Sequence, residues 1–163
     1  DRVPFNVSLY GSADMNSQLK KSVYPGLKTS DRFSYTAQIL ASRSFSEKLS
    51  LEVAPIFVRH NLQDLNFTKT LTHNQLLFGM GGRYKLSKRL SLNMDYAYNF
   101  SKNKNSLYKN PLTIGVDIET GGHVFQLLFT NSRSSNDSSF LTETTGDWSK
   151  GEISFGFNIV RVF

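Results

Sequence analysis

Residues 90–100 read LSLNMDYAYNF, and this stretch decides the fold. Leu90, Leu92, Met94, Tyr96, Tyr98 and Phe100 fall on one face of an extended chain; Ser91, Asn93, Asp95, Ala97 and Asn99 fall on the other. A period of two is that of a β-strand, because successive side chains of an extended backbone point to opposite sides. The alternation recurs over 112–119, where Leu112, Ile114, Val116 and Ile118 oppose Thr113, Gly115, Asp117 and Glu119. It recurs again over 152–159, where Ile153, Phe155, Phe157 and Ile159 oppose Glu152, Ser154, Gly156 and Asn158, in a strand expected to run to Phe163. Less regular versions predict strands over 3–10, 32–45, 49–60, 75–86 and 123–130, so three clean and five weaker segments make eight. Pro55 interrupts the third of the eight on its apolar face; a residue with no N–H to donate predicts a bulge, an edge position or a shorter strand there.

The connections alternate in length. Ser46-Glu47-Lys48, Ser87-Lys88-Arg89 and Gly121-Gly122 are short. Setting Phe45 opposite Leu49, Leu86 opposite Leu90 and Thr120 opposite His123 brings the apolar faces of each hairpin together, and Gly-Gly suits a two-residue turn. Polar connections rich in Ser, Asn, Thr and Lys cover 11–31, 61–74, 101–110 and 131–150, all at the opposite end. Short turns at one rim and long loops at the other predict an antiparallel up-and-down transmembrane β-barrel. Its short turns and both chain ends would be periplasmic and its long loops extracellular.

A soluble antiparallel sandwich or barrel alternates in the same way, with the apolar set turned inward. Aromatic placement favours lipid on that set. Phe33, Tyr35, Phe57, Phe78, Tyr96, Tyr98, Phe100 and Phe129 lie near the long-loop rim, and Phe5, Phe45, Tyr84, Phe125 and Phe163 lie towards the other, as two interfacial girdles would. The polar face carries Gly, Ser, Asn, Gln and both signs of charge, which suits a crowded or wet lumen. A terminal aromatic strand ending at Phe163 is similar to the signal read by the outer-membrane assembly machinery. The 163 residues, 39% hydrophobic and 20% charged, fit one domain over 1–163. No run reaches the roughly 18 apolar residues that a spanning helix needs. The absence of cysteine removes disulfides and thiolate chemistry, and the formal charge of +6 favours anionic neighbours.

The segments PLTIGVDIETGGHVFQLLFTNS (111–132), ETTGDW (143–148) and GEISFGFNIVRVF (151–163), with GGRYKLSKRLSLNMDYAY (81–98), resemble an uncharacterised Bacteroidetes family of outer-membrane β-barrel proteins. The resemblance runs over essentially the whole chain. It implies location and fold and brings no activity or ligand with it. It also implies further strands before Asp1, so that the chain is an incomplete wall of a barrel of roughly twelve strands, whose first and last strands do not pair with each other.

The inward-facing polar set is Gln38, Glu52, Arg83, Lys85, Asn93, Asp95, Asp117, Glu119, Gln126, Glu152 and Asn158. The hairpin registers put Arg83 opposite Asn93 and diagonal to Asp95, and Asp117 opposite Gln126, within reach of one another. Such a set either fills a narrow barrel as a structural network or lines a passage for a small solute. A hydrolase is the third reading. Yet His60, His73 and His123 are scattered, and His123 lies about seven strand residues, more than ~20 Å, from Asn131 and Ser132. No catalytic, metal-binding or cofactor-binding residue is assigned. Lys20, Lys21, Lys28, Lys69, Lys102, Lys104, Lys109, Arg133 and Lys150 fall in the long loops, and Lys48, Lys88 and Arg89 in the short turns. Basic rims bracketing an apolar band suit membrane lipid and lipopolysaccharide, not nucleic acid. The expected role is structural or within an envelope complex with other envelope proteins; a passive channel is the alternative.

Overall fold

The computed structural model describes residues 4–22, 25–62, 73–102 and 106–161. They form eight antiparallel strands: β1 (Asn6–Met15), β2 (Phe33–Ser44), β3 (Leu49–His60), β4 (Asn74–Lys85), β5 (Leu90–Asn99), β6 (Leu112–Thr120), β7 (His123–Thr130) and β8 (Ser154–Arg161). Each strand pairs with its neighbours in sequence, so the order is simply one to eight, in a half-barrel. Among the described residues, β1 and β8 form its two edges and do not pair with each other.

Which face is covered separates a lipid-facing wall from a soluble core. Along β5 the small and polar Ser91, Ala97 and Asn99 are buried, whereas Leu92, Met94 and Tyr98 are exposed. Across the sheet the contrast is steep: Val58 is 0% and Ala97 1% exposed on the inner face, against 54% for Met94 and 50% for Phe157 on the outer one. A soluble sandwich would bury the second pair. The outer face instead offers apolar side chains to its surroundings, as a bilayer-facing wall must.

The three short hairpins have the expected registers. The amide of Phe45 donates to Leu49 and that of Leu86 to Leu90, each at 2.9 Å. Thr120 faces His123 across a turn in which Gly121 has φ of 55°, a left-handed conformation that glycine adopts without a Cβ penalty.

Several expectations need correction. The first strand covers Asn6–Met15 and not 3–10, so the following connection is shorter than 11–31. Its side chains are a mixed set whose pattern is too weak to fix the boundary, and pairing with the whole of β2 carries it further. Pro55 causes neither a bulge, an edge nor an early end. The β2–β3 register is unchanged on both sides of it, from Gln38 opposite Ile56 to Ala41 opposite Val53. Only the pairs of Ile39 and Leu40 are missing from that ladder, while on the β4 side Pro55 faces Phe78 without a break. The last strand begins at Ser154, leaving Glu152 and Ile153 outside it. Finally, 131–150 is not a free loop. It contains a helix, α1 (Asp137–Thr142), that lies against the inner face of the wall.

Candidate functional site

The inner face changes character along its height. Towards the short turns it carries Ser50, Glu52, Arg83, Asn93 and Asp95, which border a pocket of about 330 Å³ together with Gly81 and Gly115. Towards the long loops it carries Ala54, Ile56, Val58, Leu77 and Ala97, on which Leu141 and Phe140 of α1 pack. An apolar patch on the inner wall is therefore covered by the chain's own β7–β8 connection.

Polar bonds orient the helix. Asn136 caps it by accepting from the Ser139 amide at 3.2 Å. Tyr10 of β1 donates its hydroxyl proton to the Asp137 carboxylate, and Asp14 accepts from the Ser138 hydroxyl at 2.9 Å. His60, buried at the end of β3, lies between two hydroxyls: Nδ1 is 2.9 Å from Ser34 Oγ and Nε2 is 2.8 Å from Thr142 Oγ1. The Thr142 hydroxyl donates its proton to the Ser138 carbonyl at 2.6 Å, so it receives the Nε2–H of His60, and Nδ1 accepts from Ser34. With both ring nitrogens engaged, the imidazole is a peg joining β2, β3 and α1.

The rest of the connection is clamped to the wall at Asn131. Its side chain accepts from the Leu112 amide at 2.8 Å and donates to the carbonyls of Asn110 and Gly146, at 3.0 and 3.1 Å. Gly146 admits no larger residue, since a Cβ there would lie 2.4 Å from the Asn131 carbonyl oxygen and 2.5 Å from that of Glu152. Trp148 Nε1 donates to Leu112 at 3.0 Å, and Lys109 pairs with Asp147 at 3.4 Å. The Ser149 hydroxyl and amide hold the Asp147 carboxyl below the usual carboxylate range, and Lys109 adds to the effect. Partial burial, and then the Lys109 charge, lower the Lys102 ammonium from its usual value; its Nζ donates to Asn110 at 3.3 Å.

The polar residues expected in the lumen are only partly joined. Arg83 Nη2 reaches across β5 to Glu119 at 2.9 Å and Asp117 at 3.7 Å, and Gln126 donates to Asp117 at 3.2 Å. Ser91, small and buried, faces Asp117 on the strand that Arg83 crosses. Arg83 does face Asn93, but its charge goes to β6 and not to Asp95. Gln38 borders the space beneath α1, and Lys85 lies exposed at the end of β4. Asn158 faces Gln126 from β8. Glu152 does not belong to the lumen: it accepts from the Asp147 amide at 3.0 Å and closes the turn at 147–152. Phe163 lies outside the described residues, as do Lys69 and Lys104.

The histidines are less scattered than the sequence suggests, since the His73 ring lies 2.8 Å from the His60 carbonyl oxygen. His123 remains at the short-turn end, and Ser132 follows β7 at the other. The His60 peg and the helix on the inner wall escaped sequence reasoning. The available signal was Phe140-Leu141 within a polar stretch, three residues after an Asn-Asp helix start.

Comparison with curated proteins and with solved structures returned no match. A family model described as "Membrane bound beta barrel domain (DUF5777)" matches residues 1–163, and the chain belongs to this family of membrane-bound β-barrels.

Proposed function

We propose that the chain forms wall and plug of an outer-membrane barrel with a structural role, acting alone or within a complex of envelope proteins, and is not an enzyme. The observation that carries this is α1: Phe140 and Leu141 cover the inner wall at the long-loop end, where a pore would need open space. The Ser34–His60 pair, the best candidate for nucleophilic chemistry, is committed instead to holding that helix. The alternation of short and long connections supports a periplasmic position for the short turns and an exterior one for the long loops. The sequence motifs at 111–132 and 151–163 support a Gram-negative, Bacteroidetes-type envelope with lipopolysaccharide around the barrel and delivery by its assembly machinery.

A passive solute channel is the second reading, favoured by the charged pocket around Glu52, Arg83 and Asp95. Outer-membrane fractionation followed by planar-bilayer recording separates the two. The expected result is a heat-modifiable membrane species without steady conductance, which begins to conduct once 134–144 are replaced by a short Gly-Ser linker. Steady conductance of the intact protein, altered by R83E, would favour the channel. Turnover lost on changing Ser34 or His60 would favour an enzyme.

A further inference from the structure

Bilayer contact explains why the outer face is apolar, but not why it is concave. Across β1–β4, on the side away from α1, the outer face holds a groove of about 610 Å³, within the usual size range of ligand clefts of about 300–1,000 Å³. It exists because small residues interrupt a row of large ones. Gly11 and Ala37 stand in register with Phe57 and Leu76, and the Phe100 amide bonds to Leu76 at the far end of that row. The next row towards the short turns contains Ile39, Pro55 and Phe78, where the β2–β3 ladder is interrupted.

A charge stands just beyond the long-loop end of the groove. The outward residue following Phe57 on β3 is Arg59, about 7 Å further towards the long-loop rim. Its guanidinium is set by two side-chain acceptors, Nε on Asn61 at 3.2 Å and Nη1 on Asn74 at 3.3 Å. Tyr35 stands opposite it on β2. A fixed, exposed guanidinium above an apolar slot complements a phosphate above an acyl chain, since its planar fork matches phosphate oxygens.

We propose that this groove takes one acyl chain of a phosphorylated glycolipid of the lipid A type, with a phosphate of that lipid on Arg59. The inference rests on the outer-membrane reading, which puts the long-loop rim in the leaflet where lipid A replaces phospholipid.

The test uses the full-length protein, delipidated in detergent, given lipid A or phosphatidylglycerol in separate arms and examined by native mass spectrometry. One retained lipid A per chain is expected, with no retained phosphatidylglycerol. A37W, which fills the groove, should abolish retention. R59Q, at the rim end of β3 with its side chain on the exposed outer face, should lower it about tenfold, the loss expected for one charge-assisted contact. V116W, on the outer face of β6, should leave it unchanged. Equal retention by wild type and R59Q, or equal retention of phosphatidylglycerol, would overturn the proposal. A heat-modifiable, membrane-integrated protein that keeps no lipid A would refute this inference alone, whereas a protein found outside the membrane fraction would refute the reading beneath it.

Discussion

Leu141→Ala isolates the packing of α1 from its polar ties. Leu141 is 7% exposed and lies in one cluster with Ala54, Ile56, Val58, Leu77 and Ala97. Leu→Ala in a fully enclosed core costs about 2–5 kcal/mol. Here the cavity borders a polar space beneath the helix, where water relieves part of the void, so about 2–3 kcal/mol is the appropriate range. At six residues α1 is too short to keep its shape without that packing, so the loss falls on docking of the helix and not on the sheet. A cost of this size raises the undocked population about 30- to 150-fold. Hydrogen exchange in detergent micelles would register it. Amides of 138–144 should exchange faster by that factor, while those of β5 keep their wild-type rates. The clamp at Asn131 and Gly146 should persist, which confines the change to the helix. Unchanged exchange over 138–144 would mean that Leu141 packing does not hold the plug, and uniform acceleration across β3 to β5 would mean that plug and wall are one unit.

Val116, in register with Leu92 and Leu127 on the outer face, should tolerate no charge: Val116→Arg is expected to cost about 2–4 kcal/mol in refolding into lipid vesicles, whereas inward Asn93→Ser should be mild. Equal costs would reverse the assignment of faces. The lowered carboxyl of Asp147 predicts an acid-labile clamp. A depressed folded pKa contributes stability that is complete above the ordinary Asp value of about 3.9 and is lost as pH falls through the folded value. Protease sensitivity of 143–150 should therefore rise below about pH 4, and Asp147→Asn should remove that pH dependence. A transition at the same pH in the variant would assign it to another group.

The sheet was legible because lipid and lumen impose opposite demands at every second residue, and the three tight turns repeat that parity. Phe45 with Leu49, Leu86 with Leu90 and Thr120 with His123 each leave one register that keeps the apolar faces together. Pro55 departs from the expectation because its missing amide affects only the β2 ladder, while pairing to β4 continues through the gap without a change of register. The plug was illegible for a different reason. Its contacts join Tyr10 and Asp14 to residues 137 and 138, and Ser34 and His60 to Thr142, and no local pattern encodes partners so far apart. The lumenal network lies between these cases. Strand parity gave the facing of Arg83, Asp117 and Gln126, but not the reach of Arg83 across β5 to Glu119.

The bonds between α1 and β1 also bear on the order in which the molecule assembles. Every strand pairs with the next one in sequence, so the wall can grow hairpin by hairpin, each step closing only the connection between successive strands. The Tyr10–Asp137 and Asp14–Ser138 bonds span 127 and 124 positions and cannot form until strands from both halves of the chain are in place. Docking of the helix is accordingly expected as the closing event of folding. It would work as a proofreading step, because a wall with a slipped β1 register would carry Tyr10 and Asp14 away from the helix and leave the plug unlatched.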